Sequence, residues 1–258
     1  MSDYKQIAKD TRLVVARMIQ KAQTSHLGSC FSAADLLTVL FECMDTETDE
    51  FIASKGWCAA LVYALLARKG VIPRSHLRRF CAPNETEYIG LIEPRGKFGL
   101  RFAGGSMGMG IAAGVGFALA RKWAGLPGHV YVLASDGEMN CGTTWEAAAL
   151  AAHHKLDNLV VIVDRNGLQA MGSTREVLEM DLEGIWSSFG WQTLEMNGHD
   201  YECIEKGLRI AEAETRPTVL LANTVKCKGW PREEGKNLYH YWHVTKKDYA
   251  EIKKALEG

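Results

Sequence analysis

The clearest strand–helix–strand pattern in this chain is VYVLASDGEMNCGTTWEAAALAAHHKLDNLVVIVDRNGLQAMG, residues 130–172. It contains two short apolar runs, Val130–Ala134 and Leu159–Val163, and a helix is predicted between them over Thr143–Lys155. Short, continuous runs of Val, Ile and Leu joined by a crossover helix are typical of neighbouring strands in a buried parallel sheet. The pattern therefore predicts an α/β protein.

Each apolar run ends in residues with oxygen-bearing side chains. Asp136-Gly137 follows the first run, and Asp164-Arg165-Asn166 follows the second. The carboxyl ends of parallel strands meet at one edge of the sheet, where open α/β sheets bind ligands. Carboxylate and amide oxygens suit Mg²⁺, which completes its octahedron with phosphate and water. Asp-Gly and Asn-Gly are also common turns, but two of them on neighbouring strands favour a metal–diphosphate site.

This spacing resembles the thiamine diphosphate signature, and the surrounding sequence resembles the amino-terminal half of transketolases. The resemblance implies that Asp136, Asn166 and the main-chain carbonyl of Leu168 hold a magnesium ion. It also implies that thiamine diphosphate contacts residues of a glycine run and of the two strand ends, namely Gly105, Met107, Gly108, Asp136, Gly137, Glu138, Asn166, Leu168 and Ala170.

Size and composition are those of an ordinary globular protein. The chain has 258 residues, of which 47% are hydrophobic and 24% charged, with a net charge of −1. We expect one domain over residues 1–258, and the charge gives no support for a nucleic-acid surface. Seven cysteines without a CxxC pair indicate reduced thiols, and the amino terminus lacks the apolar core of a signal peptide. These features favour a cytoplasmic protein.

An uncharged segment, Phe102–Ala120, needs to be weighed as a membrane span. Its glycines make it weakly hydrophobic and a poor helix at its start. A glycine loop that leads into a buried helix is the better interpretation. Backbone N–H groups of the run Gly104–Gly110 would form an anion cradle, although small residues equally permit close helix packing. The nearby Asp136 and Asn166 favour proximity to a cofactor.

The rest of the chain alternates between helices and strands, which predicts a mostly parallel wound sheet flanked by helices. Before the glycine run we expect a helix over residues 3–23. A second helix is expected to begin at Ser32, an N-cap with Asp35 at the capping-box distance, and to end near residue 42. A third helix is expected over 57–68, followed by a surface excursion over 73–100. After the central unit we expect helices over 181–189, 200–214 and 246–256, strands over 191–196 and 217–223, and an irregular loop over 226–241.

Several further motifs resemble the transketolase family in the same order along the chain. KAQTSHLGSCFSAADLL places His26 where the family has a substrate-facing histidine, and Trp242-His243 resembles its Trp-His pair. His26 and His243 are therefore the candidate catalytic residues, with His240 as a competitor for the second position. Because an aromatic surface cluster would give the same sequence around His243, that assignment stays open.

The resemblance covers only the first domain of a transketolase. In two-chain transketolases a separate subunit completes the enzyme and carries the glutamate that activates the cofactor through its pyrimidine ring. The resemblance therefore implies a carboxyl-terminal partner subunit, in an assembly with two copies of each chain. It also implies that this chain is inactive alone.

The sequence departs from the family on the substrate side. Trp57 replaces the histidine of Ser-Lys-Gly-His, a Gly-His-Pro segment is absent before Arg95, and Cys141 replaces a glutamate. Indole donates one hydrogen bond but cannot relay a proton as imidazole does. We therefore expect transfer of a two-carbon ketol unit with a non-standard or modified sugar. Arg95, Lys97 and Arg101 are candidates to bind a substrate anion, but a solvated loop is the better interpretation for them. The same two interpretations stay open for Lys226 and Lys228.

Two other functions remain open from the sequence. A 2-oxoacid decarboxylase or dehydrogenase subunit shares the diphosphate signature. A non-catalytic partner would keep the fold without the chemistry, although the retained Asp136 and Asn166 argue against it.

Overall fold

The computed structural model describes residues 3–94 and 99–258. Its strands are β1 Glu50–Ala53, β2 Val130–Ser135, β3 Leu159–Arg165, β4 Leu168–Gln169, β5 Gly172–Ser173, β6 Gln192–Asn197 and β7 Thr218–Asn223. Five of them form a central parallel sheet with the order β1-β2-β3-β7-β6, and β4 and β5 form a small antiparallel hairpin. The predicted α/β fold with a mostly parallel sheet is confirmed.

Helices cover both faces of the sheet. They are α1 Tyr4–Ala22, α2 Leu27–Cys43, α3 Ala59–Arg68, α4 Met109–Trp123, α5 Gly142–His153, α6 Thr174–Leu178, α7 Leu182–Ser188, α8 Tyr201–Ala213 and α9 Lys246–Glu257. No helix in the described ranges is long and apolar enough to cross a membrane. The glycine-rich segment accordingly becomes a loop followed by α4, as expected.

The central strands alternate between two apolar cores. Leu133 and Ile162 point to the core that contains α1, α2, α3 and α8, whereas Val132 and Val161 point to the core of α4, α5 and α7. Successive side chains of a strand point to opposite faces. A strand covered on both sides must therefore be apolar at every position, which explains the continuous runs in the sequence.

Four parts of the prediction need correction. Helix α2 begins at Leu27, after His26 in the left-handed conformation (φ 70°), so Ser32 lies within the helix and is not its N-cap. The edge strand β1 was not predicted, because four residues are too few to show a period. The hairpin and α6 were also missed. The segment 73–100 is not simply a surface excursion, since Tyr88 and Ile92 are buried in the core.

Candidate active site

A cavity of about 740 Å³ opens at the carboxyl edge of the sheet. Residues far apart in the sequence form its wall, because β2 and β3 end side by side and the loops after α1, β1 and β7 meet above them. Of the residues expected to act at the site, it is lined by His26, Gly105, Met107, Asp136, Gly137, Glu138, Asn166, Leu168 and Ala170. Gly108 lies directly behind this wall, where its N–H contacts Glu138.

Asp136 is a buried carboxylate at the end of β2, with 4% of its surface exposed. Its Oδ1 accepts the N–H of Gly137 at 2.9 Å, and its Oδ2 accepts the N–H of Gly167 at 2.6 Å. Burial and the neighbouring Asp164 raise the pKa of Asp136 to about 6. Within the described ranges Asp136 forms no ion pair, so this buried negative charge has no direct cationic partner.

The turn after β3 contains Asn166 and Leu168 and is joined to Asp136 through the Gly167 N–H. The side chain of Asn166 lines the cavity, and its Oδ1 accepts the N–H of Leu168 at 3.1 Å. The described residues contain no group of three His, Cys, Asp or Glu side chains that could hold a metal. A metal here would therefore need a mixed set of carboxylate, amide and carbonyl oxygens. That donor set and a buried Asp136 without an ion-pair partner fit Mg²⁺.

A buried ion pair between Lys55 and Asp164 lies at this edge of the sheet. The Lys55 ammonium, in the loop after β1, contacts Asp164 Oδ2, which also accepts the hydroxyl of Ser32 at 2.6 Å. Burial alone would lower the pKa of Lys55, but Asp164 raises it above its usual value. The pair therefore stays charged and joins β1, α2 and β3. It was not predicted, because nothing local in the sequence links Lys55 to Asp164.

The glycine run is used mainly for close packing. The N–H groups of Gly108 and Gly110 donate to Glu138 and Ser54 at 2.9 and 3.1 Å. A Cβ on Gly104 would lie only 2.4 Å from the carbonyl oxygen of Ala53. These N–H groups are occupied by protein acceptors, which favours the packing interpretation, while Gly105 and Met107 still line the cavity.

Glu138 braces the glycine run. Its Oε1 accepts the Ser54 hydroxyl and the Gly108 N–H, and its Oε2 accepts the Ser135 N–H at 3.2 Å. Burial raises the pKa of Glu138. Its carboxylate thus fixes the cavity wall through several hydrogen bonds.

His26 lines the cavity and stacks on Trp57. Their ring centroids are 4.3 Å apart and the planes are inclined by 7°. Burial, reinforced by Lys226 and Lys55, lowers the pKa of His26 to about 4, so the imidazole is neutral near pH 7. Trp57 keeps 44% of its surface exposed. The residue that replaces the family histidine therefore presents an aromatic surface at the cavity.

The structure brings His240, and not His243, to the cavity. His240 lines it together with Tyr241, whereas His243 is exposed and is not part of the wall. The irregular loop 226–241 causes the difference: its short 3₁₀ turn, Leu238–His240, directs His240 towards His26, with the ring centroids 5.0 Å apart. The sequence offered both histidines and no periodicity to choose between them.

The residues considered as binders of a substrate anion do not all lie at the cavity. Arg95 and Lys97 lie outside the described residues. Arg101 pairs with Glu50 at 3.4 Å, at the amino end of β1 and away from the site. Lys226 lines the cavity, whereas Lys228 pairs with Glu234 at 3.6 Å. Cys141 lines the cavity near Glu138, and burial raises the pKa of its thiol.

Gly108→Ala is expected to destabilise the chain strongly. Gly108 has φ +80°, and a Cβ would lie 2.2 Å from Thr143 Oγ1. The left-handed conformation costs a non-glycine residue about 1–2 kcal/mol, and forced overpacking adds about 1–3 kcal/mol. Urea unfolding measures the loss. Gly116→Ala is the matched control, since nothing lies within 4 Å of its Cβ position. Equal effects of the two variants would contradict this packing role.

The fold and the cavity define an α/β domain with a ligand site at the carboxyl edge of a parallel sheet. The family model described as transketolase, thiamine diphosphate binding domain, matches residues 3–257. The chain belongs to the transketolase family, a family of transferases, which confirms the resemblance inferred from the motifs.

Two curated relatives match over nearly their full length. One is a subunit of the apulose-4-phosphate transketolase of Phocaeicola vulgatus, 33% identical, with 95% of this chain and 90% of the relative covered. The other is the 6-deoxy-6-sulfo-D-fructose transketolase subunit SqwG of a Clostridium species, 32% identical, with 99% and 96% covered.

Solved transketolases share the fold. The enzyme from Campylobacter jejuni superposes with a TM-score of 0.92 at 28% identity and covers 100% of this chain. The enzyme from Leishmania mexicana gives 0.91 at 27% identity, again over 100% of this chain. This chain spans only 43% and 42% of those two enzymes.

Proposed function

We propose that this chain is the amino-terminal subunit of a two-component, thiamine diphosphate- and Mg²⁺-dependent transketolase that transfers a two-carbon ketol unit. The observation that carries the proposal is the buried carboxylate of Asp136, which has no ion-pair partner among the described residues and faces the turn containing Asn166 and Leu168. A divalent cation held there by Asp136, Asn166 and the Leu168 carbonyl would neutralise the carboxylate and bind a diphosphate group. Family membership supplies the cofactor class.

Different residues of the cavity wall suit different tasks. We assign Gly105, Met107 and Asp136 to the diphosphate, and His26 and His240 to the substrate. Bound thiamine diphosphate supplies the electron sink for the two-carbon unit, while the protein binds and orients the reactants. Both histidines have pKa values lowered mainly by burial, so they exchange hydrogen bonds with substrate oxygens in the neutral form.

A second chain is part of the proposal. Two relatives are named as subunits of apulose-4-phosphate transketolases, and a third as a subunit of a 6-deoxy-6-sulfo-D-fructose transketolase. The proposed partner is a carboxyl-terminal transketolase chain that supplies the activating glutamate, in an assembly of two copies of each. The proposed location is the cytoplasm, consistent with seven free cysteines.

The proposed substrate is a modified sugar. The names of the relatives give apulose 4-phosphate and 6-deoxy-6-sulfo-D-fructose, and the second name describes a sugar with a deoxy carbon and a sulfo group. In this chain the aromatic surface of Trp57 lies in the cavity next to His26. An indole ring packs well against an apolar C–H face and offers a single hydrogen-bond donor. A sugar with a deoxy carbon matches that wall better than a fully hydroxylated chain.

Calorimetric titration tests the cofactor assignment. Thiamine diphosphate is titrated into this chain together with a carboxyl-terminal transketolase chain from the same genome, with and without Mg²⁺. We expect binding that requires the metal. Absence of binding in the presence of both the partner and Mg²⁺ would refute the proposed function and leave a non-catalytic protein with an inherited fold.

Trp57→His is expected to change substrate preference. The variant removes an apolar surface and adds a third imidazole to the cavity, beside His26 and His240. The ratio of kcat/KM for unmodified aldoses to kcat/KM for deoxy aldoses should therefore rise. Differences of a single group in an apolar pocket discriminate by about 10–200-fold, and we expect a change of at least about tenfold in the ratio. Trp57→Phe is the control that keeps an aromatic ring. An unchanged ratio in Trp57→His would refute a role for Trp57 in specificity.

A further inference from the structure

Lys226 and His240 form a direct hydrogen-bonded pair in the cavity wall. Lys226 follows β7 and is buried, with 1% of its surface exposed. Its Nζ lies 2.8 Å from His240 Nδ1 and 2.6 Å from Asn237 Oδ1. The described part of the chain provides no hydrogen bond to His240 Nε2, although the ring lines the cavity. One ring nitrogen of His240 is therefore bound by the protein and the other is left for a ligand.

The chemistry of the two groups determines where the imidazole proton lies. An ammonium group has three donors and no acceptor, so Nδ1 of His240 must accept the hydrogen bond. A neutral imidazole that accepts at Nδ1 carries its proton on Nε2. Burial and the Lys226 charge lower the pKa of His240 to about 3, which excludes the imidazolium near neutral pH.

We propose that Lys226 is a positioning residue that holds His240 as the Nε2–H tautomer, so that His240 presents a hydrogen-bond donor to the cavity. His240 then donates to an oxygen atom of the bound reactants and does not abstract a proton from them. This catalytic use rests on the proposed function, whereas the tautomer itself depends only on the geometry of the pair.

The surroundings hold Lys226 in place for this task. Asn237 Nδ2 donates to the carbonyl of Gln169 at 2.6 Å, which turns Asn237 Oδ1 towards Lys226. A Cβ on Gly28 would lie 3.1 Å from the Lys226 side chain. Helix α2, which contains Gly28, therefore leaves the aliphatic part of Lys226 little free space. The main-chain N–H of His26 donates to the carbonyl of His240 at 3.2 Å. The ammonium is thus fixed from the loop, the hairpin and α2.

The Lys226 ammonium stays protonated at neutral pH although its pKa is lowered. Burial and Lys55 lower the pKa of Lys226 to about 8, while Asp136 and Asp164 oppose the decrease. Near pH 7 most of the lysine is therefore still charged. A protonated lysine that donates to two acceptors has no free electron pair, which argues against a nucleophilic role for Lys226.

Nitrogen NMR of the full chain tests the tautomer without any activity measurement. Histidine is labelled with ¹⁵N, and His240 is assigned by comparison with His240→Gln. Long-range proton–nitrogen spectra near pH 7 should show protonated Nε2 and a hydrogen-bonded, unprotonated Nδ1. Above about pH 8, where Lys226 loses its proton, the Nδ1 signal should move. Protonated Nδ1 in the wild-type chain near pH 7 would overturn the proposal.

Two variants sharpen the measurement. Lys226→Met removes the donor, so the Nδ1 signal should shift and His240 should titrate at higher pH than in the wild type. Lys226→Glu replaces the donor by an acceptor and should transfer the proton to Nδ1. An Nδ1 signal and titration midpoint that stay unchanged in Lys226→Met would also overturn the proposal. Because the wild-type pH series stands alone, a variant that fails to fold leaves the proposal testable.

Kinetics of the assembled enzyme separate positioning from general stability. If Lys226 acts through His240, Lys226→Met and His240→Gln lower kcat by similar factors, and the double variant falls no further than His240→Gln alone. Independent, multiplicative losses would refute the coupling. If the assembly shows no thiamine diphosphate binding at all, the proposed function fails, yet the NMR result still decides the tautomer.

Discussion

Asp136→Asn is expected to abolish magnesium-dependent binding of thiamine diphosphate to the assembled enzyme. The substitution keeps the size of the side chain and one carbonyl oxygen, but it removes the negative charge that a hard cation requires. Loss of residues that merely support metal ligands already costs about 10–100-fold in affinity. Loss of the only carboxylate in the proposed ligand set should therefore cost more than about 100-fold.

The measurement is the calorimetric titration of thiamine diphosphate, repeated with the variant and its partner chain. Asp157→Asn makes the same chemical change on the surface, where Asp157 pairs with Lys122 at 2.8 Å, and should leave binding intact. Unfolding temperatures of both variants verify that the chains are folded. Cofactor binding by Asp136→Asn within a few-fold of the wild type would show that Asp136 does not hold the metal.

Arg12→Met is expected to lower the free energy of unfolding by about 3–5 kcal/mol, because it leaves a buried carboxylate without its cation. Arg12 makes two hydrogen bonds to Asp35, at 2.8 and 2.7 Å, and both side chains are buried. Asp35 also accepts from His199 and from the Tyr201 hydroxyl. The cluster joins α1 and α2 to α8, on the side of the sheet that carries His26.

Unfolding in urea, followed by circular dichroism, measures this loss. Burial alone would raise the pKa of Asp35, but hydrogen bonds from Arg12 and His199 hold it below its usual range. The stabilisation is therefore present above about pH 4, the ordinary pKa of an unfolded aspartate, and is lost as the pH falls below it.

A second substitution controls for the charge. Arg12→Met with Asp35→Asn removes both charges and should recover part of the lost stability, since no uncompensated ion remains. A loss below about 1 kcal/mol in Arg12→Met, as expected for an exposed pair, would contradict the role assigned to this cluster.

The strands β2, β3, β6 and β7 of the central sheet and the placement of the proposed metal ligands were predictable from local sequence. Continuous apolar runs arise because β2 and β3 are covered by helices on both faces. The runs end in Asp136 and Asn166, and parallel strands place their carboxyl ends at one edge, so the two residues had to meet. Period and topology are local or general properties, and a single sequence contains them.

The rest of the site was decided by contacts between distant segments. The loop 226–241 lacks periodicity, so only its packing shows that His240 enters the cavity and His243 stays outside. Lys55 and Asp164 are brought together by the pairing of β1, β2 and β3, and β1 itself is too short to be recognised. Burial and charge partners determine the protonation of these groups. Burial and charge partners are properties of the folded chain, so no local sequence pattern predicts them.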